Sequence, residues 1–169
     1  MLGLIRDGEM HPSAAQVADR AGVSLRTVFR HFEEIESLNR EIGAIIEDEI
    51  LPMALKPLEA RGWRAQLREL IARRAEIYER IMPIRIAASI RRFQSDYLMD
   101  DYRRFVTIER AGLESLLPKK IRDRKRLFAA LEMVTGFQAW RRLRQDQGLS
   151  TGESEAVIAD AVDRLIAGL

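Results

Sequence analysis

Arg26 and Arg30 stand about one helical turn apart in the stretch AGVSLRTVFRHF, residues 21–32, with Thr27, Phe29 and His31 interleaved. A guanidinium can donate two parallel N–H bonds to paired acceptors such as O6 and N7 of guanine, whereas a hydroxyl or a second guanidinium suits a phosphate oxygen. If the stretch is helical, its 3.6-residue period sets Arg26 and Arg30 on one side, Thr27 and Phe29 on the flanks, and Val28 with Phe32 on the other. The chemistry available is recognition of a groove and its phosphates rather than the making of bonds.

Other chemistries find little support. There is no cysteine, and histidine occurs only at His11 and His31, so thiolate, disulfide and multi-histidine metal sites are excluded. Asp96, Asp100 and Asp101 are the acidic group best suited to acid–base work, but beside Tyr102-Arg103-Arg104 their spacing describes an exposed helical face. No phosphate-cradling glycine loop and no G-x-S-x-G elbow occurs. The expectation is a protein that is not an enzyme and needs no metal or cofactor.

Two short helices packed steeply across a tight turn would position the arginines. Ser13-Ala-Ala-Gln16 is a capping box that opens the first, and Gly22 is free to take the left-handed conformation that ends it. Val17 and Ala21 supply its apolar face, Ala18 is small where the second helix crosses, and Val23 turns inward. Ser24 caps the second helix, which Val28 and Phe32 anchor at i, i+4.

The rest of the chain also reads as helix, with apolar residues at helical spacing and no strand-like alternation. A helix ends near Asp7-Gly8, and a longer one from Leu38 is kinked or ended by Pro52 and Pro57. Another runs from Trp63 to Met82 and stops or bends sharply at Pro83, with a shorter one over Ile84 to Phe93. Ser95-Asp96 opens a helix that Pro118 ends, one follows from Ile121 to about Gln147, and the capping box Ser150-x-x-Glu153 starts the last.

Charge is unevenly distributed. The net of +2 over 169 residues resolves into −5 over residues 1–60, +9 over 61–126 and −2 over 127–169. Unbroken apolar runs are far shorter than the roughly 20 residues that span a bilayer, and no signal-peptide pattern opens the chain. A cytoplasmic protein without membrane association is the expectation.

The segment PSAAQVADRAGVSLRTVFRHFEEIESL resembles the DNA-binding motif of the TetR family of transcriptional regulators. The turn AGVS, the threonine three residues after its serine, Phe29, His31-Phe32 and Leu38 fall where that family has them, and the resemblance is tight over about residues 12–42. The ending GFQAWRRLRQDQGLSTGESEAVIADAVDRLIAGL is similar to the last two helices of many members. The resemblance implies an all-α chain, with a three-helix helix-turn-helix domain over 1–41 and a helical effector-binding and dimerisation domain over 42–169. It implies DNA contact by Ser13, Gln16, Ser24, Leu25, Arg26, Thr27, Phe29, Arg30 and His31, with Arg26 on a guanine and Thr27 and Arg30 on phosphates. Phe29 stands where the family often has tyrosine, and Ile35 among Glu33, Glu34 and Glu36 where a phosphate-binding lysine is common. The first helix is shorter than the family norm and lacks its basic arm.

The partners so implied are a double-stranded operator, a small-molecule effector and a second copy of the chain. Aromatic and sulfur side chains at Tyr78, Met82, Phe93, Tyr97, Tyr102, Phe105, Met133 and Phe137 form the candidate effector pocket. Leu131, Val134 and Trp140, with Ile158, Ala161, Val162 and Leu165, form apolar stripes broad enough for a four-helix bundle made by the last two helices of two copies. The resulting expectation is a ligand-responsive repressor acting as a homodimer on a palindromic site. The alternative is a similar helical dimer that has lost DNA binding and retains a small-molecule or partner site.

Overall fold

The computed structural model describes the backbone of residues 1–31 and 35–169, and every side chain among them except those of His31, Ile35 and Glu36. All regular secondary structure among the described residues is helical, with no strand. In order they form α1 (Leu2–Arg6), α2 (Ala14–Ala21), α3 (Leu25–His31), α4 (Ile35–Leu55), α5 (Trp63–Arg91), α6 (Asp96–Leu116), α7 (Lys119–Arg122), α8 (Lys125–Thr135), α9 (Phe137–Arg141) and α10 (Thr151–Leu165). A 3₁₀ turn at Arg92–Gln94 precedes α6, and a π-helical segment at Arg142–Asp146 continues α9. No described helix is long and apolar enough to cross a membrane.

Pro83 lies inside α5, which continues from Trp63 to Arg91 and so does not end there, and Pro52 lies inside α4, which ends at Leu55, two residues before Pro57. An interior proline costs about 3 kcal/mol because one backbone bond is lost and the ring crowds the preceding turn. Tyr78, Ile81, Met82, Ile84 and Ala87 are all buried around Pro83. Burial of large apolar side chains, at roughly 1.5–3 kcal/mol each, outweighs that cost. Conversely, the helix expected from Ile121 to about Gln147 is divided at Asp123-Arg124 and at Gly136. Gly136 adopts an extended conformation (φ −85, ψ 163), and a Cβ there would lie 3.1 Å from the Glu132 carbonyl oxygen.

The chain forms two compact units, one of Met1–Pro52 with Arg80–Arg103 and one of Met53–Glu79 with Arg104–Leu169. The sequence reading instead cuts the chain once, between residues 41 and 42. In the first unit, α1 serves two small cores. Ile5 joins Ile42 of α4 and Ile84 and Ala87 of α5, while Leu4 and Met1 pack against Val17, Ala18 and Val28 of α2 and α3. Ion pairs Arg6–Glu49 (2.6 Å) and Arg20–Asp7 (2.7 Å) link α1 to α4 and α2.

In the second unit α8 packs on α7 and α10. Leu131, Trp140, Ile158 and Val162, expected at a dimer surface, are at most 3% exposed and so are occupied inside the chain itself. Trp140 donates its indole N–H to Glu79 (2.8 Å), whose carboxylate also accepts from Arg144 Nε (2.8 Å) and Nη2 (3.0 Å). Those bonds, the Arg144 ones foremost, hold the Glu79 carboxyl below the usual carboxylate range. Arg74, 7% exposed, donates from Nη1 to the Thr135 carbonyl (3.0 Å) and hydroxyl (2.8 Å) and from Nη2 to the Glu109 carbonyl. A buried guanidinium is thereby satisfied by neutral acceptors on two other helices.

Candidate nucleic-acid interface

The α2–α3 pair is built from local chemistry. Ser13 is extended and its hydroxyl accepts the Gln16 N–H (3.2 Å), while Gln16 Oε1 accepts the Ser13 N–H (2.8 Å). Gly22 takes the left-handed conformation (φ 66, ψ 30) that ends α2, and the Val23 N–H turns back to the Ala18 carbonyl at 3.0 Å. Ser24 then caps α3, its hydroxyl accepting the Thr27 N–H (3.1 Å) and sharing a second bond with the Thr27 hydroxyl (2.8 Å).

Packing divides the faces of α3. Val28 is 7% exposed against Val17 and Ala18, whereas Leu25 is 44% and Phe29 58% exposed. Arg26 and Arg30 are exposed on the same outward side, and neither has a partner among the described residues. The outward surface therefore offers two exposed guanidinium groups, an aromatic ring and an aliphatic side chain. Thr27 is half-buried and tied to Ser24.

Two details of the turn depart from expectation. Val23 does not turn inward but is 42% exposed, and Ala21 is exposed. Val17, Ala18 and Val28, with Met1, Leu4 and Ala14, already fill the small core, which leaves Val23 on the rim beside Leu25. The Phe32 anchor and the acidic residues Glu33 and Glu34 lie outside the described residues, as do the side chains of His31, Ile35 and Glu36.

Glu9 is a contributor that sequence reasoning missed. Its carboxylate accepts the His11 N–H (3.0 Å) and the Gln16 side-chain amide (3.0 Å), which brings a negative charge to the start of α2. The His11 backbone bond, then the Gln16 bond, lowers its pKa, so it stays ionised well below neutral pH. Both ends of the Gln16 amide are thereby occupied, and an anion approaching the first turn of α2 meets a carboxylate. Replacing Glu9 with Gln is expected to strengthen duplex binding and steepen its salt dependence, as read by titration at two salt concentrations. Unchanged affinity in that variant would place the start of α2 away from the phosphates.

The residues expected to line an effector pocket belong to both units. In the second unit Tyr78 packs edge-on against Phe137 (5.5 Å between centroids) and Phe105 (6.5 Å), and Phe105 meets Phe137 at 6.1 Å. The Tyr78 hydroxyl donates to the Glu109 carboxylate, and burial raises its pKa well above the ordinary value. In the first unit Met82 is buried, Tyr97 lies under the Arg40 guanidinium (4.7 Å), and Tyr102 lies under that of Arg92 (4.0 Å). Phe93 and Met133 are 75% and 69% exposed, so they line no interior space. Among the described residues no group of histidine, aspartate and glutamate could hold a metal ion. No family model, no curated protein and no solved structure matches this chain.

Proposed function

We propose that this chain is a DNA-binding transcriptional regulator of the kind its α2–α3 sequence resembles, a TetR-like repressor that works as a homodimer on a palindromic operator and answers to a small-molecule effector. The observation that carries the reading is the outward face of α3. Arg26 and Arg30 are exposed there and have no partner among the described residues, while Val28 holds the helix to α2. Guanidinium donors beside exposed Leu25 and Phe29 complement what a major groove displays, guanine acceptors and thymine methyl groups. Ser13, Gln16 and Ser24 serve chiefly as caps in this proposal, with Thr27 beside them at the edge of the contact.

The dimer would use what α8 and α10 leave uncovered rather than the residues they bury. Met133 is 69% and Val157 44% exposed, Ala129 and Ala156 are exposed, and Val134, Ala161 and Leu165 are half-buried. Palindromic recognition requires two copies of α3, which a dimer formed through this face would supply. Charged replacements at Met133 and Val157, M133E with V157E, are expected to shift sedimentation from dimer to monomer without loss of helix. A dimer that survives both would move the interface elsewhere.

Selection of bound duplexes from a random pool tests the main reading. Enrichment of a two-fold symmetric sequence, with affinity falling steeply as salt rises, is the expected outcome. Recovery of no common sequence would end the regulator reading and favour a helical dimer that binds only a small molecule or partner. The effector would then be sought against Tyr78, Phe105 and Phe137 in the second unit and Met82, Tyr97 and Tyr102 in the first.

A further inference from the structure

A second concentration of positive charge lies far from α3 in the sequence, and the regulator reading does not use it. In KKIRDRKR, residues 119–126, six side chains are basic and one is acidic. Lys119, Lys120, Arg122, Arg124, Lys125 and Arg126 are all exposed on α7, the turn after it and the first turn of α8. Several arginines elsewhere in this unit are matched by carboxylates, Arg68 by Asp163, Arg73 by Glu69, Arg110 by Glu114 and Glu132, Arg142 by Asp146 and Arg144 by Glu79, while Arg74 meets neutral acceptors. Within the tract only Lys119 is matched, to Asp123 at 2.6 Å. The other five cations have no protein partner among the described residues.

Cations held this close repel one another in the folded chain. Repulsion is increased because Arg124, the N-cap residue of α8, makes no side-chain cap bond and the first turn holds no acidic residue, which sets like charge at the positive end of the helix dipole. A polyanion laid on the tract relieves both. The apolar residues here face inward, with Ile121 and Phe128 only 1% and 4% exposed. The tract exposes no aromatic ring for an unpaired base and no apolar side chain for an acyl layer, the groups that add to charge in single-strand and membrane binding. Regularly spaced phosphates met by cations alone are what the surface of a double helix presents.

We propose that Lys120, Arg122, Arg124, Lys125 and Arg126 form a sequence-independent contact for the phosphate backbone of double-helical nucleic acid. This contact does not depend on the α3 reading.

The test is titration of the full chain with random-sequence duplex DNA, and separately with phosphatidylcholine vesicles containing phosphatidylserine, as salt is raised from about 50 to 200 mM. The combined variant K120Q/R122Q/R124Q/K125Q is compared with wild type, with helix content checked by circular dichroism. Each phosphate contact contributes about 0.9 to the slope of log affinity against log salt, so the variant is expected to lose about 3 to 4 from that slope. Asp123→Asn, which removes the only acid of the tract, is expected to tighten duplex binding. Arg26→Ala should act differently, removing base preference while keeping most of the slope. If wild type shows no base preference yet its slope still collapses in the combined variant, the regulator reading fails and this one stands. An unchanged slope in the combined variant, or tighter binding to the vesicles than to the duplex, overturns the proposal.

Discussion

Trp140→Ala is expected to destabilise the fold by about 3–5 kcal/mol, the cost of emptying a buried aromatic site. Trp140 is 1% exposed, so truncation leaves a cavity that its neighbours can only partly fill. It also removes the indole N–H from the Glu79 carboxylate, although Arg144 remains to hold that group. The measurement is the urea midpoint at unchanged slope. Trp140→Phe, which keeps a ring but loses the donor, should fall between wild type and the alanine variant. A midpoint close to wild type in Trp140→Ala, accompanied by dissociation of a dimer, would return Trp140 to a subunit interface and contradict its burial within one chain.

Arg26→Ala is expected to lower affinity for the selected duplex by about 1–3 kcal/mol per half-site, as for loss of a bidentate base contact. A two-fold complex would feel this twice. Folding should be almost untouched, since the side chain is exposed and has no bonding partner among the described residues. The loss should concentrate at one base pair of each half-site, seen by competing duplexes substituted at each position. Arg30→Ala serves as the contrast, weakening all duplexes alike and reducing the salt slope by about 1, as a phosphate contact does. If Arg26→Ala preserves the order of preference among competitors, Arg26 is not the residue that reads the base.

Much of the candidate interface was legible because it depends on neighbours in the chain. The capping boxes at Ser13–Gln16 and Ser150–Glu153 are present as their spacing requires, since the bonds span only three residues. Gly22 is left-handed for the same local reason. Glu9 was not legible, because its bonds reach from outside the helix to an amide seven residues on, and no short pattern encodes that reach. Nor was the outward position of Val23, which depends on how α1 fills the core beside it.

The amino-acid sequence by itself determined the helical character of the chain, where its short helices start, and the left-handed turn before α3, because capping and turn geometry act over a few residues. Only the tertiary structure decided that α5 continues through Pro83, that Trp140 and Leu131 are consumed inside the chain, and that Tyr78, Phe105 and Phe137 meet edge-on. Arg74 illustrates the reason: its acceptors lie at Glu109 and Thr135, the latter 61 residues away. Burial is settled by such distant segments, and an apolar or charged residue carries no local mark of which of them will cover it.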